Sequence, residues 1–448
     1  MEAGTINEKQ LFRKGDRILR TALQAVTPEV LIRRSLTLQR NDLAAGNQII
    51  DLNRIRRIHA AAIGKAAPYM AKAVSGILNG RLDEGVFLQF PEENHRIEHF
   101  KGLPAPHPLP DERSREAARE ILELAEKSGP DDLFLLCISG GGSAQLSCPP
   151  PGITMKEKRN LTGALLRAGA DIFELNVVRK HLSLVKGGRL AMAAYPAMVV
   201  NVVISDVIGN DMETIASGPA WKDTSSFLEA VAVLRKYSLW DKAAVSVQNL
   251  LSEGLRREKR GGPVSGHPVF RKVSHVIAGD NRTALEAARG AALKEGLAAS
   301  VLTSGDQGEA REAAGDYVRT FMAARNRMNR PFCLIAGGEL TVTVKGEGKG
   351  GRNQEFVLAF LEEMRRRYPQ EENWAVFSLG TDGADGPTEA AGARGGFSIL
   401  KAAAELSLRP LDHLINNDSY SFFKSAGGMI VTGPTHTNVM DIRLFLSG

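Results

Sequence analysis

RIHAAAIGK at residues 57–65, running on into AAPYMAKAVSGIL at 66–78, decides the fold. The first stretch is a short, nearly unbroken apolar run that stops at Gly64. The second is rich in alanine, carries Pro68 where a first helical turn tolerates it, and spaces its apolar residues for a helix. A strand with no polar face must be covered on both sides, which is the signature of a parallel sheet flanked by helices. The same grammar returns in DLFLLCISGGGSA (132–144) and PAMVVNVVISDV (196–207), two more strands that end in turns rich in Gly, Ser or Asp. The reading is an α/β chain whose first domain is Rossmann-like, a parallel sheet in three layers.

Outward from this core, residues 9–26 place Leu11, Ile18, Leu19, Ala22, Leu23 and Val26 on one helical stripe, and Thr27-Pro28 closes that helix and opens another. With these helices included, the first domain spans 1–250. A basic, Gly/Pro-rich stretch, LRREKRGGPVSGHPVFRK (255–272), reads as a linker, placed at 251–272. The second domain, 273–448, then begins with strand VSHVIAGD (273–280) and continues through ASVLTS, PFCLIAGG, WAVFSLGTDG and GGMIVTGP. ELTVTVKG (339–346) alternates like a half-buried strand, so this second, smaller sheet is expected to be mixed, with helices.

Composition narrows the function classes. In 448 residues, 57 Lys and Arg against 51 Asp and Glu leave a net charge of +6, 43% of residues are hydrophobic and 6% are aromatic. The basic residues are dispersed among nearly as many acids, which suits a small anion better than a nucleic acid. Cys137, Cys148 and Cys333 are far apart and odd in number, which disfavours a disulfide framework or a zinc cluster and points to a reducing cytoplasm. No run approaches the length of a membrane span, and the first residues lack a leader pattern.

Ligands of open α/β sheets bind beyond the carboxyl ends of the strands, so the strand-to-helix turns carry the functional reading. Lys65 stands at a helix N-terminus, where a cation is disfavoured unless an anion comes to it. Ser139, Gly140, Gly141, Gly142 and Ser143 offer successive backbone N–H groups suited to phosphate or carboxylate oxygens. Arg179, Ser183 and Lys186 fall on one face if NVVRKHLSLVKGGRL (176–190) is a continuous helix. Asp206 and Asp211 follow one strand, and Asp382 and Asp385 another; carboxylates on such turns suit Mg²⁺. GEGKGGRN (346–353) literally satisfies GxGxxG, but its Lys349 and Arg352 fit polyphosphate charge better than a dinucleotide. Neither a nucleophile elbow nor a Walker A loop is present, and SLVK (183–186) lacks the partner motifs of the penicillin-recognising enzymes.

As an ordered series, AIGKAA (62–67), HPLPDERS (107–114), SGGGSA (139–144), NVVRKHLSLVKGGRLA (176–191), SDVIGNDMETIASGP (205–219), GGELTVTVKGEGKGGRNQE (337–355), GTDGADGPTEAAGA (380–393), NDSYSFF (417–423) and GPTHTNVMDI (433–442) resemble the class II glycerate 2-kinases, whose C-terminal part is called MOFRL. The resemblance covers nearly the whole chain. It implies two α/β domains with the active site in the cleft between them, and ATP-dependent phosphorylation of the 2-hydroxyl of D-glycerate with Mg²⁺. It places catalysis on Lys65 and Arg352, which would stabilise the transferring phosphoryl group. On the same motifs Asn176, Glu339 and Asn353 join Ser139–Ser143, Arg179, Lys186 and Lys349 in the substrate and nucleotide set. Two departures appear: Gln145 stands where an aliphatic residue is expected, and His436 where a small one is. The expected partners are D-glycerate and ATP, with no nucleic acid and no membrane; a homodimer is allowed but not specified. The alternative is an NAD(P)-dependent hydroxypyruvate reductase, supported by the literal GxGxxG.

Overall fold

The computed structural model describes residues 6–258, 266–329 and 331–448, which form two compact units: Leu31–Ala278, and Met1–Val30 together with Gly279–Gly448. In the first unit β1 (Leu36–Gln39), β2 (Asp42–Ala45) and β3 (Gln48–Asp51) make a small antiparallel meander. The main sheet contains β4 (Arg57–Ile63), β5 (Glu84–Gln89), β6 (Phe100–Pro104), β7 (Asp132–Ile138), β8 (Met198–Ile204) and β9 (Val273–Gly279), in the order β6-β5-β4-β7-β8-β9. Pairs β5/β6, β4/β5, β4/β7 and β7/β8 are parallel. Every residue of β7 and all but the first of β4 and β8 is buried, as their continuous apolar runs require. Strand order departs from β4 in both directions, toward β5 on one side and β7 on the other. This reversal is where an open α/β sheet forms a crevice, and it lies at the ends of β4 and β7, paired in register up to Ile63 and Ile138.

In the second unit β10 (Ala298–Asp306), β11 (Phe332–Gly338), β12 (Trp374–Gly380), β13 (Gly392–Gly396), β14 (Met429–Ile430) and β15 (Asp441–Ser447) form a sheet ordered β10-β11-β15-β12-β13-β14. Only β10 and β11 pair in parallel among the registered pairs; β15 runs antiparallel between β11 and β12, so the sheet is mixed as expected. It has as many strands as the first. The helix Arg352–Arg367 covers it through Phe356 and Phe360, which pack with Phe445, and Phe360 with the buried Trp374.

Three expectations about organisation are corrected. The helix Glu8–Ala25 belongs with the C-terminal sheet, not with the first domain: Phe12 packs edge-on against Phe377, and the ring of Phe377 lies directly on Gly15. A Gly15→Ala change must displace that ring, and about 1–3 kcal/mol of lost stability is expected in urea unfolding. The proposed linker is not one: a helix continues through Val245–Glu258, a 3₁₀ turn occupies Pro268–Arg271, and VSHVIAG is the sixth strand of the first sheet. Residues 259–265 of that stretch lie outside the described residues. Finally, ELTVTVKG forms no strand; Thr341 makes a single bridge to Glu309, and Val344 is exposed.

Candidate active site

The turns after β4 and β7 interlock. The Lys65 N–H donates to the Gly140 carbonyl at 2.8 Å, the Ala66 N–H to Ser139 Oγ at 3.0 Å, and Ser139 Oγ in turn to the Ile63 carbonyl at 3.2 Å. Gln145, the departure from the expected pattern, is fully buried and braces the same turn: its Oε1 accepts the Gly64 N–H at 2.9 Å while its Nε2 donates to the Ala105 carbonyl at 3.1 Å. An aliphatic residue would leave both groups to other partners. Part of the expected anion cradle is therefore internal structure, since the Ser139 N–H donates to Ile63 and the Gly142 N–H to Ser139. Asp206 lies against Gly140, with its carboxylate where any Cβ at that position would stand.

Arg179 and Lys186 do not share a helical face. The helix ends at His181, and Ser183 accepts the Val185 and Lys186 N–H groups in a local turn instead of facing a ligand. Both cations nevertheless reach one cavity of about 530 Å³, together with His107, Gly141, Ser143 and Lys158. Lys186, 1% exposed, donates to the Ser143 carbonyl at 2.8 Å, Ser143 Oγ at 3.1 Å and the Ala216 carbonyl at 3.3 Å. Burial, then the neighbouring Lys158 and Arg179 charges, hold its ammonium well below the ordinary lysine range. Behind it Ser143 Oγ contacts Ser217 Oγ at 2.8 Å, and Ser217 donates to Asn176 Oδ1 at 3.0 Å, so Asn176 supports the turn from within. His107 is pushed down to about 4 by burial and then by Lys65, so its imidazole is neutral at pH 7.

In the second unit Arg352 opens its helix. It makes a two-pronged pair with Asp441, Nε to Oδ2 at 2.8 Å and Nη2 to Oδ1 at 2.9 Å, and reaches Glu339 at 3.2 Å. Asp441 is fully buried on the first residue of β15 and is also bonded by Asn353 Nδ2 at 3.1 Å and Arg443 Nη2 at 3.2 Å. Arg352 keeps its full charge, because these carboxylates outweigh its burial. Three of the four expected metal carboxylates accept backbone N–H groups. Asp385 accepts the N–H groups of Asn353 and Gln354 at 2.9 Å and the Gln354 Nε2 at 3.0 Å, satisfying the start of the helix. Asp211 caps a turn through the N–H groups of Glu213 and Thr214. Asp382 Oδ1 likewise accepts the Ala384 N–H at 3.1 Å, and among the described residues no group of three or more His, Cys, Asp or Glu could enclose a metal. Mg²⁺ held largely by phosphate and water needs only one or two carboxylates, so a single such residue on a turn is compatible with it.

The glycine loop before Arg352 is not an open cradle either. Asn417 Oδ1 accepts the N–H groups of Lys345 and Gly346 at 2.8 and 3.0 Å, Asn416 Oδ1 that of Glu347 at 3.1 Å, and Asp418 Oδ1 that of Lys349 at 3.1 Å. With no strand before it and its amides occupied, the loop is no dinucleotide fingerprint. His107, Lys158, Asp441 and Arg443 were not singled out from the residues. His107 and Asp441 lay within the quoted motifs; Lys158, in KEKR, reads as a surface charge run.

A switch-point turn carrying Lys65 beside a cationic cavity, and a carboxylate-braced arginine at a helix N-terminus, define an α/β protein equipped to handle a small anion. Residues 15–252 match a domain of unknown function, DUF4147, and residues 332–441 match the MOFRL family. The chain is 37% identical over 421 residues to the D-glycerate 2-kinase of Thermotoga maritima, covering 93% of this chain and 96% of that protein. It is 40% identical to an Agrobacterium vitis protein provisionally named hydroxypyruvate reductase, over 77% of each chain. The crystal structure of a Thermotoga maritima glycerate kinase superposes with a TM-score of 0.87 at 34% identity, covering 98% of this chain and 100% of that one. The chain belongs to the class II glycerate 2-kinase family, with MOFRL as its C-terminal part.

Proposed function

We propose that this protein is a glycerate 2-kinase that transfers the γ-phosphoryl group of ATP to the 2-hydroxyl of D-glycerate, giving 2-phosphoglycerate and ADP. The observation that carries the reading is the match to a D-glycerate 2-kinase along 93% of the chain, both units included. The chemistry on the page agrees with it. Phosphoryl transfer depends mainly on positioning and on stabilising charge spread over the transferring oxygens. Lys65 and Arg352 are the cations we assign to that charge, the first fixed by its backbone bond to Gly140, the second by its fork on Asp441. Asp206 and Asp382 would hold Mg²⁺, which neutralises charge on the nucleotide phosphates. Lys349 and Glu339 are assigned to nucleotide or substrate contact, and Asn353 to aligning Asp441 and Asp385. We place the protein in a reducing cytoplasm, in keeping with three buried, unpaired thiols.

The hydroxypyruvate reductase reading has the Agrobacterium vitis name in its favour and the occupied glycine loop against it. One pair of assays separates the two. With ATP, Mg²⁺ and D-glycerate, an enolase-coupled assay run without the mutase is expected to report 2-phosphoglycerate; with NADH and hydroxypyruvate alone, absorbance at 340 nm is expected to stay constant. A falling absorbance with no phosphoglycerate would reverse the assignment.

A further inference from the structure

Lys158 lies on the helix Met155–Arg167, 4% exposed, with no hydrogen-bond partner for its ammonium, and it lines the 530 Å³ cavity. A buried ammonium with no partner costs free energy that something must offset. Among the described residues lining the cavity none is Asp or Glu; the neighbours acting on Lys158 are the Cys148 thiol, which burial keeps protonated, and Arg179, and those acting on Lys186 are Lys158 and Arg179. Arg179 is likewise perturbed by burial alone. Lys158, Arg179 and Lys186 thus converge on one cavity, with the exposed Arg159 at its edge and the hydroxyls of Ser143 and Ser147 beside them. Gly141, on the same wall, has no room to spare: a Cβ there would stand 3.0 Å from the His107 ring and 3.1 Å from the Lys65 side chain. The cavity therefore adjoins the lysine assigned to the transfer. Its lining holds no Phe, Tyr or Trp on which a nucleobase could stack.

Resting on the kinase reading, we propose that Lys158, with Arg179 and Lys186, receives the carboxylate of the acid substrate and so selects hydroxy acids over neutral polyols. Two anions share the required chemistry, the carboxylate of glycerate and a phosphate of ATP, and the lack of a stacking surface favours the first. Burial pushes the Lys158 ammonium down to about 7 when the cavity is empty. Affinity for an anion should then fall by up to tenfold per pH unit above 7, in a field set by Cys148, Arg159, Arg179, Lys186 and His107.

The test is Lys158→Met, nearly equal in volume and able to fold in a buried site. Titration calorimetry of D-glycerate against the protein without nucleotide should show affinity reduced roughly 10- to 150-fold, as expected for loss of a charge-assisted contact. Steady-state kinetics should show KM for D-glycerate raised in the same range, with KM for ATP within about twofold. The rise of KM above pH 7 should disappear in the variant. The ligand-free variant should also melt at a higher temperature than the wild type at pH 7, and lose the thermal shift that D-glycerate gives the wild type. KM for ATP rising instead would assign the cavity to nucleotide phosphate and overturn the proposal, as would glycerate affinity unchanged in the variant. A wild type that binds glycerate through Lys158 yet makes no phosphoglycerate would uphold the proposal while rejecting the kinase reading.

Discussion

Replacing Lys65 by Ala is expected to lower kcat by about 10³-fold or more while leaving Tm within a degree or two of the wild type. Cations that stabilise a transferring phosphoryl group contribute effects of this order, because they act where charge develops. The backbone at this position is well anchored: the Lys65 N–H holds Gly140, and Gly64 and Ala66 on either side are held by Gln145 and Ser139. Alanine keeps all three contacts. Rapid-quench measurement of single-turnover phosphoglycerate formation, alongside a thermal melt, checks both halves of the expectation. Turnover near the wild-type rate would remove Lys65 from the chemistry. Arg352 needs a gentler change, since truncation strands the buried Asp441; Arg352→Lys keeps the charge, loses the fork, and is expected to reduce kcat with a smaller loss of stability.

Asp385→Ala is expected to act in the opposite way, costing about 3–4 kcal/mol of stability in urea unfolding. The carboxylate is 1% exposed and accepts from two backbone N–H groups and two side-chain amides at the start of the helix Arg352–Arg367. Without it those donors are left in a dry site, and the helix that presents Arg352 loses its anchor. The concentration of Mg²⁺ giving half-maximal rate should be the same in whatever folded fraction survives. If stability were unchanged and the Mg²⁺ requirement rose tenfold, Asp385 would be a metal ligand after all. Asp382→Ala should show that second pattern.

How far the sequence could be read depended on whether each segment's interior was apolar. β4, β7 and β8 are buried along nearly their whole length and announce themselves as uninterrupted runs. β15, which lies between β11 and β12 in the second sheet, did not, because DIRLFLS carries Asp441 and Arg443 into the core, where they pair with each other and with Arg352 and Asp306. The alternation in ELTVTVKG imitated a strand, yet Val344 is 71% exposed and a single bridge is formed. The strand-end turn at Lys65 and the helix start near Arg352 were legible because turn position and charge are local properties. The cavity was not: Lys158 sits in KEKR, and only the packing of its helix turns one of those charges inward. The structural duties of Asp211 and Asp385 were not legible for a related reason, since Asp on a glycine-rich turn looks alike whether it caps a helix or awaits a metal.

The apolar stripe of Glu8–Ala25 predicted a helix correctly but carried no address, and this has a consequence for biosynthesis. Asp16 of that helix pairs with Arg394, 378 residues further along the chain, and Phe377 covers Gly15 and Phe12. At ribosomal rates the helix waits roughly 20–75 s for those partners to emerge, while the whole of Leu31–Ala278 can fold in the interval. The helix Asn281–Lys294 and Glu295, which Lys14 and Arg17 bond, emerge earlier, but the part of the Glu8–Ala25 face that meets Phe377 stays uncovered through that time. Nascent chains stalled between residues 280 and 370 should therefore recruit a holding chaperone through the helix made first.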